Sequence, residues 1–199
     1  TGQRLTRLRQ ISQDPTIQTA QAKSYRRLFE HANWLVSTAA AGVSGLSSVV
    51  PPPADGPHYP GYKGPDTCLK VIGSLGTLYL ASPGPANAAL RARLISRALI
   101  ELNPAVEGRK IMEAELQAAI AAGKSAASPS SMLWGAKAAT CLGLAYDWFY
   151  PELGASTRLT LENAISYYLY VALKYHESLF GPTRGTDQKF SNWNAIVNG

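Results

Sequence analysis

Apolar residues recur at helical spacing through almost the whole chain, and proline or glycine interrupts each run before the next begins. A stripe at i, i+3, i+4 and i+7 buries one face of a helix, whereas a strand needs apolar residues at alternate positions. No segment sustains that alternation. Leu5, Leu8 and Ile11 form a first stripe before Asp14-Pro15, and Tyr25, Leu28, Phe29, Ala32, Leu35 and Val36 form a second, so two linked helices occupy the first 37 residues. Cys68, Leu69, Ile72, Leu75, Leu78 and Tyr79 make a third, stopped by Pro83-Gly84-Pro85.

Leu90, Leu94, Ile95, Ala98, Leu99 and Leu102 follow, and Asn103-Pro104 predicts a stop, with a separate Ala-rich helix over Val106 to Ala122 closed by Gly123. Ser128-Pro129 is a helix start signal, and the helix it opens runs from Met132 to Tyr150. After Pro151, Ser156 or Thr157 is positioned to cap a long helix with Leu161, Ile165, Tyr168, Leu169, Ala172 and Leu173 on one side. The fold class is therefore all-α, with antiparallel helix hairpins joined by short turns and a few longer loops. That alternation suits a toroid or solenoid, although no exact repeat is visible.

With 199 residues, 46% of them hydrophobic, the chain has the material for one packed core. Its net charge of +6 and pI near 9.4 favour acidic partners over basic ones. A solvated basic surface is the competing account, and Arg4, Arg7, Arg9, Lys23, Arg26 and Arg27 read as one on the first two helices. Cys68 and Cys141 sit in apolar stretches without CxxC spacing or nearby histidines, which argues against zinc and favours buried free thiols. No apolar run reaches the roughly 18 residues that a membrane span needs. Thr1-Gly2-Gln3-Arg4 reads as a processed or trimmed start. The last eight positions, Asn192 to Gly199, read as a helix opening without a terminator, so further sequence is expected to follow, and an exposed apolar edge with it.

Between Ser44 and Pro65 lie Pro51-Pro52-Pro53, Pro57, Pro60 and Pro65, which predict a long loop. His58 and Tyr59 on it are candidates for the rim of a binding cleft, against an ordered surface connection.

The run Leu142-Gly143-Leu144-Ala145-Tyr146-Asp147-Trp148-Phe149-Tyr150, followed by Glu152-Leu153, resembles the pattern of heparinase II/III-like proteins. Leu8-Arg9-Gln10-Ile11-Ser12-Gln13-Asp14-Pro15 resembles that family's first helix, and Phe190-Ser191-Asn192-Trp193-Asn194-Ala195-Ile196-Val197-Asn198-Gly199 resembles its Asn-Trp-Asn segment. Three stations in order span nearly the whole chain. The resemblance implies that residues 1–199 are the N-terminal portion of an incomplete (α/α) toroid, continued elsewhere by further helices and a β-sandwich. It implies a secreted or periplasmic lyase that cleaves uronic-acid polysaccharide by β-elimination; from the residues themselves no cofactor, no metal, no nucleic acid and no membrane is expected as partner.

In that chemistry a base removes the C5 proton of the uronate while the C4 oxygen leaves, and the carbanion forms beside a carboxylate already negative. A neutral donor aimed at the carboxylate stabilises the transition state as an oxyanion hole does. Asn192 is the candidate, with Asn194 as the second. Where family members carry Asn-His, this chain has Asn192-Trp193, and tryptophan has no proton to exchange as a base. The resemblance places base and acid, a Tyr and a His, beyond this point. Asn192 as a simple helix cap is the competing account. Trp193 and Trp134 are candidates for stacking on sugar, against a place in the core.

Tyr146-Asp147-Trp148 reads chiefly as a packing device, and His31 and His176 as exposed or core histidines. Two other classes remain open: a non-catalytic glycan-binding toroid, and a helical scaffold for protein or nucleic acid. A glycoside hydrolase would need paired carboxylates, for which Asp147 and Glu152 are the available acids.

Overall fold

The computed structural model describes residues 2–38, 60–122 and 129–180, and among the described residues there are helices and no strand. In chain order they are α1 (Gly2–Gln13), α2 (Ala20–Ser37), α3 (Pro60–Leu80), α4 (Ala88–Ala121), α5 (Pro129–Phe149) and α6 (Ala155–Phe180). Each helix packs on the next in sequence and, from α1 to α6, also on the next but one. Cys68 meets Cys141, Gly76 meets Trp148 and Tyr79 meets Phe149. These pairs advance together along both helices, so α3 and α5 run in the same direction.

Local chemistry sets the corners. Asp14 accepts from the Thr16 amide at 2.9 Å and the Thr16 hydroxyl at 2.6 Å, bonds that hold its carboxyl below the usual carboxylate range. Thr19 then caps α2 by accepting from the Ala22 amide at 3.2 Å. Arg26 and Arg9 do more than decorate a solvated face. Arg26 donates to the Ser12, Asp14 and Ile17 carbonyls, closing the end of α1, and Arg9 reaches the Ser82 hydroxyl at 2.7 Å. Gly84, at φ +86, supplies the left-handed residue between Pro83 and Pro85 that turns the chain into α4.

Three expected boundaries are corrected. The proline-rich loop was bounded at Pro65, but α3 begins at Pro60. A proline at the first helical position loses no bond, and Pro65 forfeits only one. The stop at Pro104 is absent, since α4 runs straight through it to Ala121. The proline removes only the bond to the Ile100 carbonyl, four residues back, and the rest of the helix continues. Neither Ser156 nor Thr157 caps α6, because both already lie inside it. Gly154 takes the cap position, its carbonyl accepting from the Arg158 amide at 3.0 Å.

The core is built from Leu35, Ile72, Leu75, Leu78, Tyr79, Leu94, Leu102, Phe149 and Tyr168, all of them fully buried. All but Phe149 come from the stripes read in the sequence, and on α6 one stripe residue turns outward. Leu169, expected on the inner side, is exposed together with Leu159 and Tyr170, while Leu161, Ala164 and Tyr168 face inward at i, i+3 and i+7. Cys68 and Cys141 are free and buried. The hydrogen bond between them, and then burial, push the Cys68 thiol far above its ordinary value, which makes it a poor nucleophile.

Tyr168 ties α6 to the segment of α4 just past the proline, donating its hydroxyl to the buried Ala105 carbonyl. Burial raises the phenol further, so it stays a donor. Tyr168→Phe is expected to lose about 1 kcal/mol, a fall of roughly 2–4 °C in Tm. An unchanged melting temperature would show that the bond adds nothing beyond the helix's own.

Candidate functional site

Asn192, Trp193, Asn194, His58 and Tyr59 all lie outside the described residues. Trp134 falls on α5, with its side chain outside the described set. The chemistry-bearing groups that the structure brings together are others, and they form three clusters.

The first joins the turn before α4 to the turn before α6. Arg91 at the start of α4 donates through Nε to Glu152 at 2.6 Å and pairs with the same carboxylate through a second nitrogen. It also lies over the Tyr79 ring at 3.9 Å, and Tyr79 donates to Glu152 at 3.2 Å. Glu152 is thereby consumed as a fastener. Asp147 is exposed on α5, and the two acids do not form the free pair that a glycoside hydrolase requires.

The second cluster is the Tyr146-Asp147-Trp148 signature, whose two aromatic residues pack against the core while Asp147 is exposed. Trp148 lies across Gly76 of α3, and Phe149 meets Tyr79 edge-on with centroids 4.9 Å apart. Tyr146 donates to Glu162 of α6, and that bond pushes its phenol up to about 12. A tyrosine so held is a weak acid at neutral pH.

The third lies between α2 and α3. The single proton of the Ser74 hydroxyl goes to the Lys70 carbonyl at 2.8 Å. Ser74 Oγ can then only accept from His31, whose Nδ1 lies 2.9 Å away. In this arrangement Nδ1 carries the hydrogen of the His31–Ser74 bond, and Nε2 is the ring nitrogen not engaged by Ser74. The imidazole stacks on Trp34 at 5.9 Å with only 13° between the planes, and Trp34 is 50% exposed. Reading His31 as an ordinary exposed or core histidine missed this arrangement, because its partner is 43 positions away in sequence. The spacing of Lys23, Arg27 and His31 at successive i+4 positions was the one available signal.

No protein-family model, no curated protein and no solved structure matches the chain.

Two further features carry no chemistry. A shallow groove beside α1, lined by Gln3, Thr6, Arg7, Gln10 and Pro83, is open to solvent. Arg97 and Glu101, buried on α4, pair at 2.8 Å, and Arg97 also donates to the Thr38 carbonyl at the end of α2. That is a structural cross-link, costly to break from one side. Among the described residues no group of three or more His, Cys, Asp or Glu could hold a metal ion, and no helix is long and apolar enough to cross a membrane.

Proposed function

We propose that this chain is the helical N-terminal portion of a polysaccharide lyase acting on uronic-acid polysaccharide, secreted or periplasmic, in which the helices form part of an (α/α) toroid of antiparallel hairpins. The observation that carries this reading is the ordered set of three sequence stations, residues 8–15, 142–150 and 190–199. An all-helical chain in which each helix packs on its next and next-but-one neighbours supports it, as does the basic surface.

In this mechanism the Asn192 amide donates to the uronate carboxylate, drawing off charge as the C5 proton leaves for a base. The electron pair released at C5 forms the C4–C5 double bond, and the C4–O bond breaks, with the departing oxygen taking a proton from an acid. Asn194 is the second candidate donor, and Trp193, Trp134, His58 and Tyr59 are the candidate walls for the sugar. Trp193 supplies no proton, so base and acid come from sequence outside these residues. The same substitution of Trp for His favours one alternative, a toroid that holds anionic glycan without cleaving it.

Absorbance of the unsaturated uronate, followed on a panel of acidic polysaccharides, separates the readings. The 199-residue chain alone is expected to give no product, and the same chain carrying the natural sequence beyond Gly199 is expected to give it. Turnover by the 199 residues alone would relocate the catalytic groups into them. Binding without product from the longer protein, on every polymer of the panel, would leave the non-catalytic reading.

A further inference from the structure

Along α2, Lys23, Arg27, His31 and Trp34 stand at i, i+4, i+8 and i+11, within one quarter of the helix circumference and over about 16 Å of its length. Lys23, Arg27 and Trp34 are exposed and His31 is partly so. Glu30 is the only acid on this helix, and Arg26 is spent on the Ser12, Asp14 and Ile17 carbonyls. The edge therefore carries two free-standing cations and an imidazole against one carboxylate.

A tryptophan that only packs hides both ring faces. Trp34 gives one to His31 and keeps half its surface in water, although Phe29, Ala32 and Leu35 on the same helix are buried. His31 is in turn fixed by Ser74, a side chain 1% exposed and itself anchored to Lys70. The platform is thus held from the core outward, and Nε2, the ring nitrogen not engaged by Ser74, is left to hydrogen-bond a sugar.

We propose that this edge of α2 is a binding subsite for an acidic sugar of a polysaccharide chain, Trp34 taking the C–H face of the ring and Lys23, Arg27 and His31 taking its carboxylates and hydroxyls. The negative face of the indole attracts the weakly positive C–H hydrogens of a pyranose, and cations spaced one per helical turn meet a polymer that repeats its charge. The identity of the polymer rests on the lyase reading above. The subsite itself does not depend on catalysis.

Calorimetric titration of the 199-residue chain with tetramannuronate, and with mannotetraose as the uncharged match, tests it. The acidic oligomer is expected to bind and the neutral one to bind at least tenfold more weakly. Trp34→Ala should weaken tetramannuronate roughly tenfold, and Trp34→Phe should recover most of it. Lys23→Gln with Arg27→Gln should lower affinity and flatten its dependence on salt. Circular dichroism and Tm, unchanged in Trp34→Ala, establish that the half-exposed ring was not holding the fold.

No binding by the native chain, equal binding of the two oligomers, or a Trp34→Ala variant that binds as the native chain does would each overturn the subsite. Tighter binding of a single-stranded oligonucleotide, lost in Trp34→Ala, would overturn it in favour of nucleic acid. Each outcome is read without turnover, so failure of the lyase reading shows separately, as absence of unsaturated product from the longer protein.

Discussion

On the lyase reading, Asn192→Ala, made in a chain carrying further sequence after Gly199, is expected to lower kcat on the order of 100-fold to 1,000-fold while changing KM little. The carboxylate is present in both ground and transition states, but the charge that must be absorbed grows only as the C5–H bond breaks. A donor acting on that growth contributes to kcat, and losing it costs roughly 3 to 4 kcal/mol. A helix cap at the same position behaves differently: its loss costs about 1 kcal/mol of stability and leaves chemistry alone. Asn194→Ala is the paired control, since in a helical segment side chains two positions apart point away from each other. Near-normal kcat with a lowered melting temperature at Asn192 would assign it to capping. A large loss confined to Asn194 would move the donor two residues on.

Periodicity located most of the helices, because burying one face imposes a repeat that composition cannot disguise, while α5 was legible from the Ser128-Pro129 start signal. Ile72, Leu75, Leu78 and Tyr79 are buried where their spacing places them. Boundaries were less legible, for a reason visible at Pro104. A proline inside a helix forfeits one bond, and whether packing holds the two halves together regardless is a property of the bundle. Leu169 shows the same limit: a leucine at the margin of a stripe goes in or out according to which neighbours exist to cover it. Arg9 and Arg26, read as surface charge, reach a hydroxyl and carbonyls that have no local mark in sequence.

The site splits along the same line. A resemblance supplies Asn192 and Asn194 with roles but no geometry. His31, Ser74 and Trp34 have a geometry that pattern reading passes over, because a histidine's tautomer is set by what its partner does with its own proton.

The signature at 146–148 makes a prediction about stability that concerns a glycine in another helix. At Gly76 on α3, an added Cβ would lie 1.9 Å from Cε3 and 2.4 Å from Cζ3 of Trp148. Neither atom is the free end of a flexible chain: both belong to a rigid ring, and the neighbouring turn is pinned by Phe149 against Tyr79. Gly76→Ala gains about 1 kcal/mol of helix propensity. It must nonetheless force the indole from its rotamer or part α3 from α5, and overpacking of this kind costs about 1–3 kcal/mol and sometimes more. With contacts this short the upper end applies, for an expected net loss of about 2 kcal/mol and a fall of roughly 4–8 °C in Tm. Trp148→Leu by itself destabilises through the space it leaves. Added to Trp148→Leu, however, Gly76→Ala should be neutral or stabilising, because the methyl then enters the vacated notch and keeps its propensity gain. The cycle therefore has a coupling of about 2–3 kcal/mol, large for a contact between two side positions. A Gly76→Ala protein as stable as the native chain, or costs that add in the double variant, would mean that Trp148 does not occupy the notch and that the signature serves something other than packing.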